Sequence, residues 1–166
     1  MPITRLTPAQ LKQCTGNQWS HLIRQDEFYA QYCDWEKLEV DNWVDLLRVC
    51  PQYAYHEPWR SHKWVGWAWA LLLRAQPQFA EHCNWENITA PVSWSYLLED
   101  QPQFAEHCHI WHLFMAPEWL SLLMRQPQFV CHCPASKLRR KAWQSLHRLY
   151  PTNEDIEINA LLSSLT

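Results

Sequence analysis

Histidine and cysteine crowd into three short segments: His82-Cys83, His107-Cys108-His109 with His112, and Cys131-His132-Cys133. Thiolate and imidazole are the ligands of tetrahedral zinc. The segments recur at a fixed interval, as neighbouring structural units would, and packed helices stand roughly 8–10 Å apart. Equivalent cysteines are then too distant to share one ion at about 2.3 Å. A site would need the local extras, and Cys131, Cys133, His109 and His112 are the four ligands to test. The opposing reading is that Cys fills a small buried position while the adjacent His points outward as a polar ladder. That reading is preferred, and neither a metal nor a cofactor is expected.

Other chemistry is thinly represented. Ser136-Lys137-Leu138-Arg139-Arg140-Lys141 places four basic side chains in five residues. Such a run can grip phosphates, but no base-reading motif accompanies it, so a nucleic-acid partner is not the expectation. There is no G-x-S-x-G elbow, no H-E-x-x-H, no Walker A and no dinucleotide fingerprint. Only Gly16 and Gly66 are glycine. Cys14 and Cys50 have no Lys or Arg immediately beside them, and a reactive thiolate wants positive surroundings. The chain is read as non-enzymatic.

These residues sit on a tandem repeat. The octet Gln76-Pro77-Gln78-Phe79-Ala80-Glu81-His82-Cys83 returns unchanged as Gln101 to Cys108, and Gln126 to Cys133 is a third, altered copy. A Trp marks each unit: Trp19, Trp43, Trp69, Trp94, Trp119 and Trp143, spaced by 24, 26, 25, 25 and 24 residues. Leu or Ile follows the first five at +3 and +4. Pro stands at +8 in the last five, and the first unit has Glu27 there. An aromatic at +10, a small residue at +11 and Cys at +14 (Cys33, Cys83, Cys108, Cys133) complete the pattern. A second Trp often falls at +16, as in Trp35, Trp59 and Trp85, and an apolar residue at +19, as in Leu38, Ile88, Leu113 and Leu138.

Anchor Trp, +3 and +4 share one stripe of a helix. Pro cannot continue that helix but suits the first turn of another. Each unit is therefore predicted to be a helix of roughly nine residues, a corner, and a helix of about seven, too short to hold alone in water. A fixed period of this size means a stack of units that bury one another's stripes. The fold class is all-α: a short α-solenoid of helix–turn–helix repeats. Residues 1–14 form an N-terminal cap opened by Thr7-Pro8 with Leu11 inward, residues 15–150 the repeats, and residues 151–166 a capping helix. The cap's stripe Ile158, Leu161, Leu162 and Leu165 is expected to close the last layer. The longest apolar run, Trp64 to Leu73, is half a membrane span, so no membrane is expected. No secretory leader is recognisable. Seven cysteines at the repeat period read as reduced core thiols, and a cytoplasmic location follows.

The unit W-x-x-L-L-x-x-x-P-x-F-A-x-x-C-x-W-x-x-L resembles a short tandem repeat found in multi-copy bacterial proteins, often from host-associated species and mostly of unassigned function. The resemblance spans roughly residues 15–152. It implies repeat architecture and no activity. The period is also similar to that of leucine-rich variant repeats, a likeness of geometry only.

A repeat explains most of its residues by packing, so function is sought in the departures. Of twelve Trp, Trp64, Trp67 and Trp111 fall off the pattern. Lys63 to Leu73 is apolar on every side, and such a helix is either buried or meets a partner. An exposed patch is favoured over a locally thicker core. Trp59, Trp64, Trp67 and Trp111 are the candidate partner-binding residues, with Tyr55, His56 and Arg60 nearby. Aromatic side chains dominate interface hot spots. Net charge is −3, unevenly spread. Residues 75–124 hold no Lys or Arg but hold Glu81, Glu86, Glu99, Asp100, Glu106 and Glu118, and then Lys137, Arg139, Arg140 and Lys141 follow. Such a field steers a charged partner or serves solubility alone. The expectation is a protein–protein interaction module. The alternative is a small inhibitor of phage or plasmid type, whose acidic face displaces nucleic acid from an enzyme.

Overall fold

The computed structural model describes residues 6–59 and 62–163. Every regular element among them is helical, and the fold is an all-α repeat. The α-helices are α1 Pro8–Lys12, α2 Gly16–Gln25, α3 Val40–Leu47, α4 Gly66–Ala75, α5 Pro91–Asp100, α6 Ala116–Arg125, α7 Arg140–Leu149 and α8 Glu154–Leu162. The first helix of each unit matches the expectation. The second is tighter than expected: Glu27–Tyr32, Pro51–His56, Pro77–His82, Pro102–His107 and Pro127–His132 are 3-10 helices. Their bonds close over three residues. The Phe79 amide donates to the Gln76 carbonyl at 3.3 Å, and the Cys83 amide to that of Ala80 at 3.1 Å. A 3-10 helix is favoured only in short pieces, and here it ends at Cys, whose backbone is extended.

The chain forms two compact units, Met1–Cys83 and Asn84–Thr166. In the first, α2 packs on α3 and α3 on α4. In the second, α5 packs on α6, α6 on α7 and α7 on α8. Each anchor Trp is buried, with Trp43, Trp94, Trp119 and Trp143 wholly enclosed.

The polar letters of the octet have structural work. The last carbonyls of an α-helix lack partners within it, and the residue at +7 of the next unit supplies one. Gln76 Nε2 donates to the Arg48 carbonyl at 2.9 Å, and Gln126 Nε2 to the Glu99 carbonyl at 2.7 Å. Tyr150 takes the same role toward Met124 at 2.6 Å. The Gln two residues later braces the first, Gln78 to Gln76 at 2.8 Å and Gln128 to Gln126 at 2.8 Å. A side chain at +18 repeats the device on another carbonyl: Lys37 Nζ reaches that of Lys12 at 3.0 Å, and Lys137 Nζ that of His112 at 3.2 Å.

At the start, Thr7 caps α1 and Gln10 answers in a capping box, with Leu11 buried. The far end departs from expectation. Ile158, Leu161 and Leu162 are exposed, and Ile156 is the buried residue of α8. Ile156 lies at +13 from Trp143, and with that side chain inward the neighbouring face is Asn159, Ala160 and Ser163, all half-buried. Leu165 lies outside the described residues.

Gly16 begins α2 where α3 comes close. A Cβ there would run into the Lys37 carbonyl and the Asn42 side chain. Asn42 is itself committed, accepting from the Glu39 amide at 3.0 Å and donating to Asn17 Oδ1. Gly16→Ala is expected to cost about 1–3 kcal/mol through overpacking, read as a lower urea midpoint. A gain, as for an ordinary helical Gly→Ala change, would contradict the close approach.

Candidate functional site

The aromatic residues assemble into one arrangement four times over. An indole from the end of one unit lies between the next anchor Trp and that next unit's His at +13. Trp35 stacks on Trp43 at 5.6 Å and on His56 at 4.0 Å. Trp59 stacks on Trp69 at 5.8 Å and His82 at 4.6 Å. Trp85 does so with Trp94 at 5.8 Å and His107 at 4.2 Å, and Trp111 with Trp119 at 5.6 Å and His132 at 4.7 Å. The aromatic at +10 (Tyr53, Phe79, Phe104, Phe129) tilts against the same indole at 5.1–5.6 Å. The histidines are therefore lids on tryptophans: they lie at the surface, as the expected outward ladder does, with His82 and His132 exposed, but one face of each ring is taken up by the stack. An imidazole has a flat face and an edge that tolerates water, so it can end a stack at the surface.

Two of the supposedly irregular tryptophans prove regular. Trp111 stands eight residues before Trp119, as Trp35 stands eight before Trp43. Trp64 stands five before Trp69, the slot that Leu38, Phe114 and Leu138 fill ahead of their own anchors. Trp64 is accordingly buried and stacks on Trp69 at 4.7 Å and on Trp59 at 5.3 Å. Phe114, not Leu113, is the buried residue of its unit. Counting forward from the preceding anchor hid this register, because small insertions fall ahead of each second Trp or after it. Trp59 and Trp111 are half-buried within their stacks. Of the four candidates only Trp67 is an exposed departure, at 46 %. The all-round apolar helix thus buries Ala68, Trp69, Ala70, Leu72 and Leu73 and leaves Val65 and Trp67 outside.

The second unit also replaces Cys by Glu57 at +14. The carboxylate is buried, accepts from Trp64 Nε1 at 2.9 Å and meets His62 Nδ1 at 2.9 Å. Burial pushes its pKa up, against the opposing pull of those two partners. The true cysteines of this position are held neutral by burial: Cys33, Cys83 and Cys133 are pushed up to about 12 and Cys108 to about 11. Such thiols are poor nucleophiles at neutral pH.

An open aromatic surface lies where the first two repeats meet. A cavity of about 460 Å³ runs between Glu27–Tyr32 and Pro51–His56, lined by Glu27, Trp35, Tyr53, Tyr55 and His56 among others. Tyr55 is 77 % exposed and lies against His56 at 3.9 Å. Later units carry Glu81, Glu106 and Cys131 at the place of Tyr55, and Pro at that of Glu27. An aromatic at +12 facing a carboxylate at +8 is thus found at this junction and not at the later ones. Burial, then the Glu27 charge, raises the Tyr53 pKa, and burial lowers that of His56. Sequence reading named Tyr55 and His56 only as neighbours of the Trp patch and missed Tyr53 and Glu27. Arg60 lies outside the described residues.

The charged candidates divide. Glu81 and Glu106 are exposed, each beside its unit's His at 3.6 and 3.7 Å. Glu99 and Asp100 meet Arg125 at 3.3 and 3.4 Å, so part of the acidic stretch is neutralised. Arg139, Arg140 and Lys141 are exposed, while Lys137 is bound to its carbonyl. Among the described residues no three His, Cys, Asp or Glu side chains group as a metal set. His109 and His112 are exposed, Cys131 is exposed and Cys133 is buried. No helix among the described residues is long and apolar enough to cross a membrane. Comparison with family models, with curated proteins and with solved structures returned no match.

Proposed function

We propose that the chain is a non-catalytic protein–protein interaction module, and that the first compact unit presents its recognition surface. The observation that carries this reading is the Tyr55 groove. There the exposed Tyr55 and the carboxylate of Glu27 depart from the residues of the other repeats, beside the half-buried Tyr53. Tyr53 serves the Trp35 stack, whereas Tyr55 and Glu27 belong to neither the Trp stacks nor the carbonyl clamps. Tyrosine buries large area with few rotors, and aromatic faces beside a carboxylate suit a basic side chain of a partner. Trp67, exposed in the same compact unit, is a second anchor.

The test is capture from extract of the native host at moderate salt, with and without nuclease. One stoichiometric protein is expected to survive nuclease, and Tyr55→Ala is expected to weaken its capture by about tenfold or more, the cost of a hot-spot aromatic. Recovery of nucleic acid alone would sink the reading. So would a partner released steeply by salt and indifferent to Tyr55→Ala, since that is the behaviour of a charge-mimicking surface.

A further inference from the structure

The first repeat lacks the ring that every inner stack contains. In those four stacks an indole eight to ten residues before the anchor lies between the anchor and the +13 ring. Ahead of Trp19 the corresponding residue is Leu11, and Tyr32 stands where the later units have His. Leu11 covers Trp19, which is 1 % exposed, but it is smaller than an indole. A cavity of about 270 Å³ remains, lined by Leu11, Lys12, Trp19, Tyr32, Asp34 and Lys37. Tyr32 lines this cavity, is 49 % exposed and lies against Phe28 at 5.3 Å rather than on an indole.

We propose that this slot receives a tryptophan side chain from a partner polypeptide, in a segment like those that fill the inner slots. The inference rests on the reading of the chain as a protein-binding module and gives it a second site, at the N-terminal end of the first compact unit. Four stacks define the occupant's shape: a planar ring that meets the +13 ring on one face and the anchor side on the other. The rim defines its flank. In two of the inner segments a carboxylate follows the indole directly, Glu36 after Trp35 and Glu86 after Trp85. Lys12 lines the slot and offers a cation to such a residue. Asp34 and Lys37 pair across the rim at 3.4 Å, and Lys37 holds the Lys12 carbonyl at 3.0 Å, which fixes the slot's polar edge.

The probe is a blocked peptide copying residues 81–90, titrated into the full chain and followed by calorimetry, beside the same peptide carrying Trp85→Ala. Saturable binding of the first and none of the second is expected. Leu11→Trp supplies the missing ring from within, so it should raise the melting temperature and abolish binding. Tyr32→Ala alters only an exposed residue and should weaken binding by about tenfold while the fold is kept, so the idea is testable even if Leu11→Trp does not fold. Equal binding of the two peptides, or binding untouched by Tyr32→Ala, overturns the proposal. N-acetyltryptophanamide binding as tightly as the peptide would overturn the polypeptide assignment. Tyr55→Ala should bind the peptide as wild type does, so failure of the groove and failure of the slot are separately visible.

Discussion

Trp94→Ala is expected to lower the stability of the chain by about 3–5 kcal/mol, the range for truncating a fully buried Trp. Trp67→Ala is expected to change it by no more than about 0.5 kcal/mol, as exposed substitutions do. The contrast follows from position. Trp94 is wholly enclosed, stacks beneath Trp85 and donates Nε1 to the Ile88 carbonyl at 2.7 Å. Its removal leaves a cavity, an unpaired carbonyl and a stack without a floor. Trp67 occupies a surface place on α4, where other units carry Asp41, Val92, Pro117 and Lys141, all exposed. Urea unfolding of the two variants checks both. Similar losses from both would mean that Trp67 belongs to the core.

The second large effect is on alkaline stability. Four thiols at the +14 position have folded-state pKa values of about 11 to 12 against an ordinary 9.0. The unfolded chain therefore releases these protons at lower pH than the native chain. Stability contributed by the neutral thiols is fully present below about 9 and is lost as pH rises toward the folded values. Melting temperature should fall from about pH 9 upward, toward the folded-state values of about 11 to 12. The fall should be shallower in Cys83→Ala/Cys108→Ala, whatever that variant's stability at neutral pH. A parallel slope in the variant would show that the thiols are not held neutral. Exposed Cys131 should be alkylated first in the native protein, ahead of the half-buried Cys33 and Cys83 and the buried Cys108 and Cys133.

The architecture was legible because its signal was redundant. Five units with Trp, paired Leu or Ile and an aromatic at fixed offsets, and with Pro and Cys in four each, leave little freedom, and the all-α repeat follows. The second helix was legible as helical but not as 3-10, since Pro in the first turn is compatible with both. Burial was readable where the count was kept from the right origin. Trp64 and Trp111 looked irregular when counted from the preceding Trp and regular when counted from the following one. The stacking role of His was not readable at all. His beside Glu on a short helix looks like a solvated edge until the indole from the preceding unit is placed beneath it. That contact joins residues 21 to 23 apart, and local periodicity carries no record of it. The Tyr55 groove was half visible. Tyr55 was noted, but Tyr53 was absorbed into the aromatic at +10, and Glu27 was noted only as a missing Pro. Their shared meaning arises when the two 3-10 segments are laid side by side.

The repeated octet closes a ring over the tryptophan from the end of the preceding unit. The most direct measurement is a double-mutant cycle on Trp85 and His107, whose rings lie 4.2 Å apart and within 8° of parallel. Stabilities of wild type, Trp85→Ala, His107→Ala and the double variant are compared. The account predicts a favourable coupling of about 0.5–1.5 kcal/mol, the worth of an aromatic pair beyond its burial. Additive losses would contradict it, and would return the His ladder to the set of surface residues free to serve a partner.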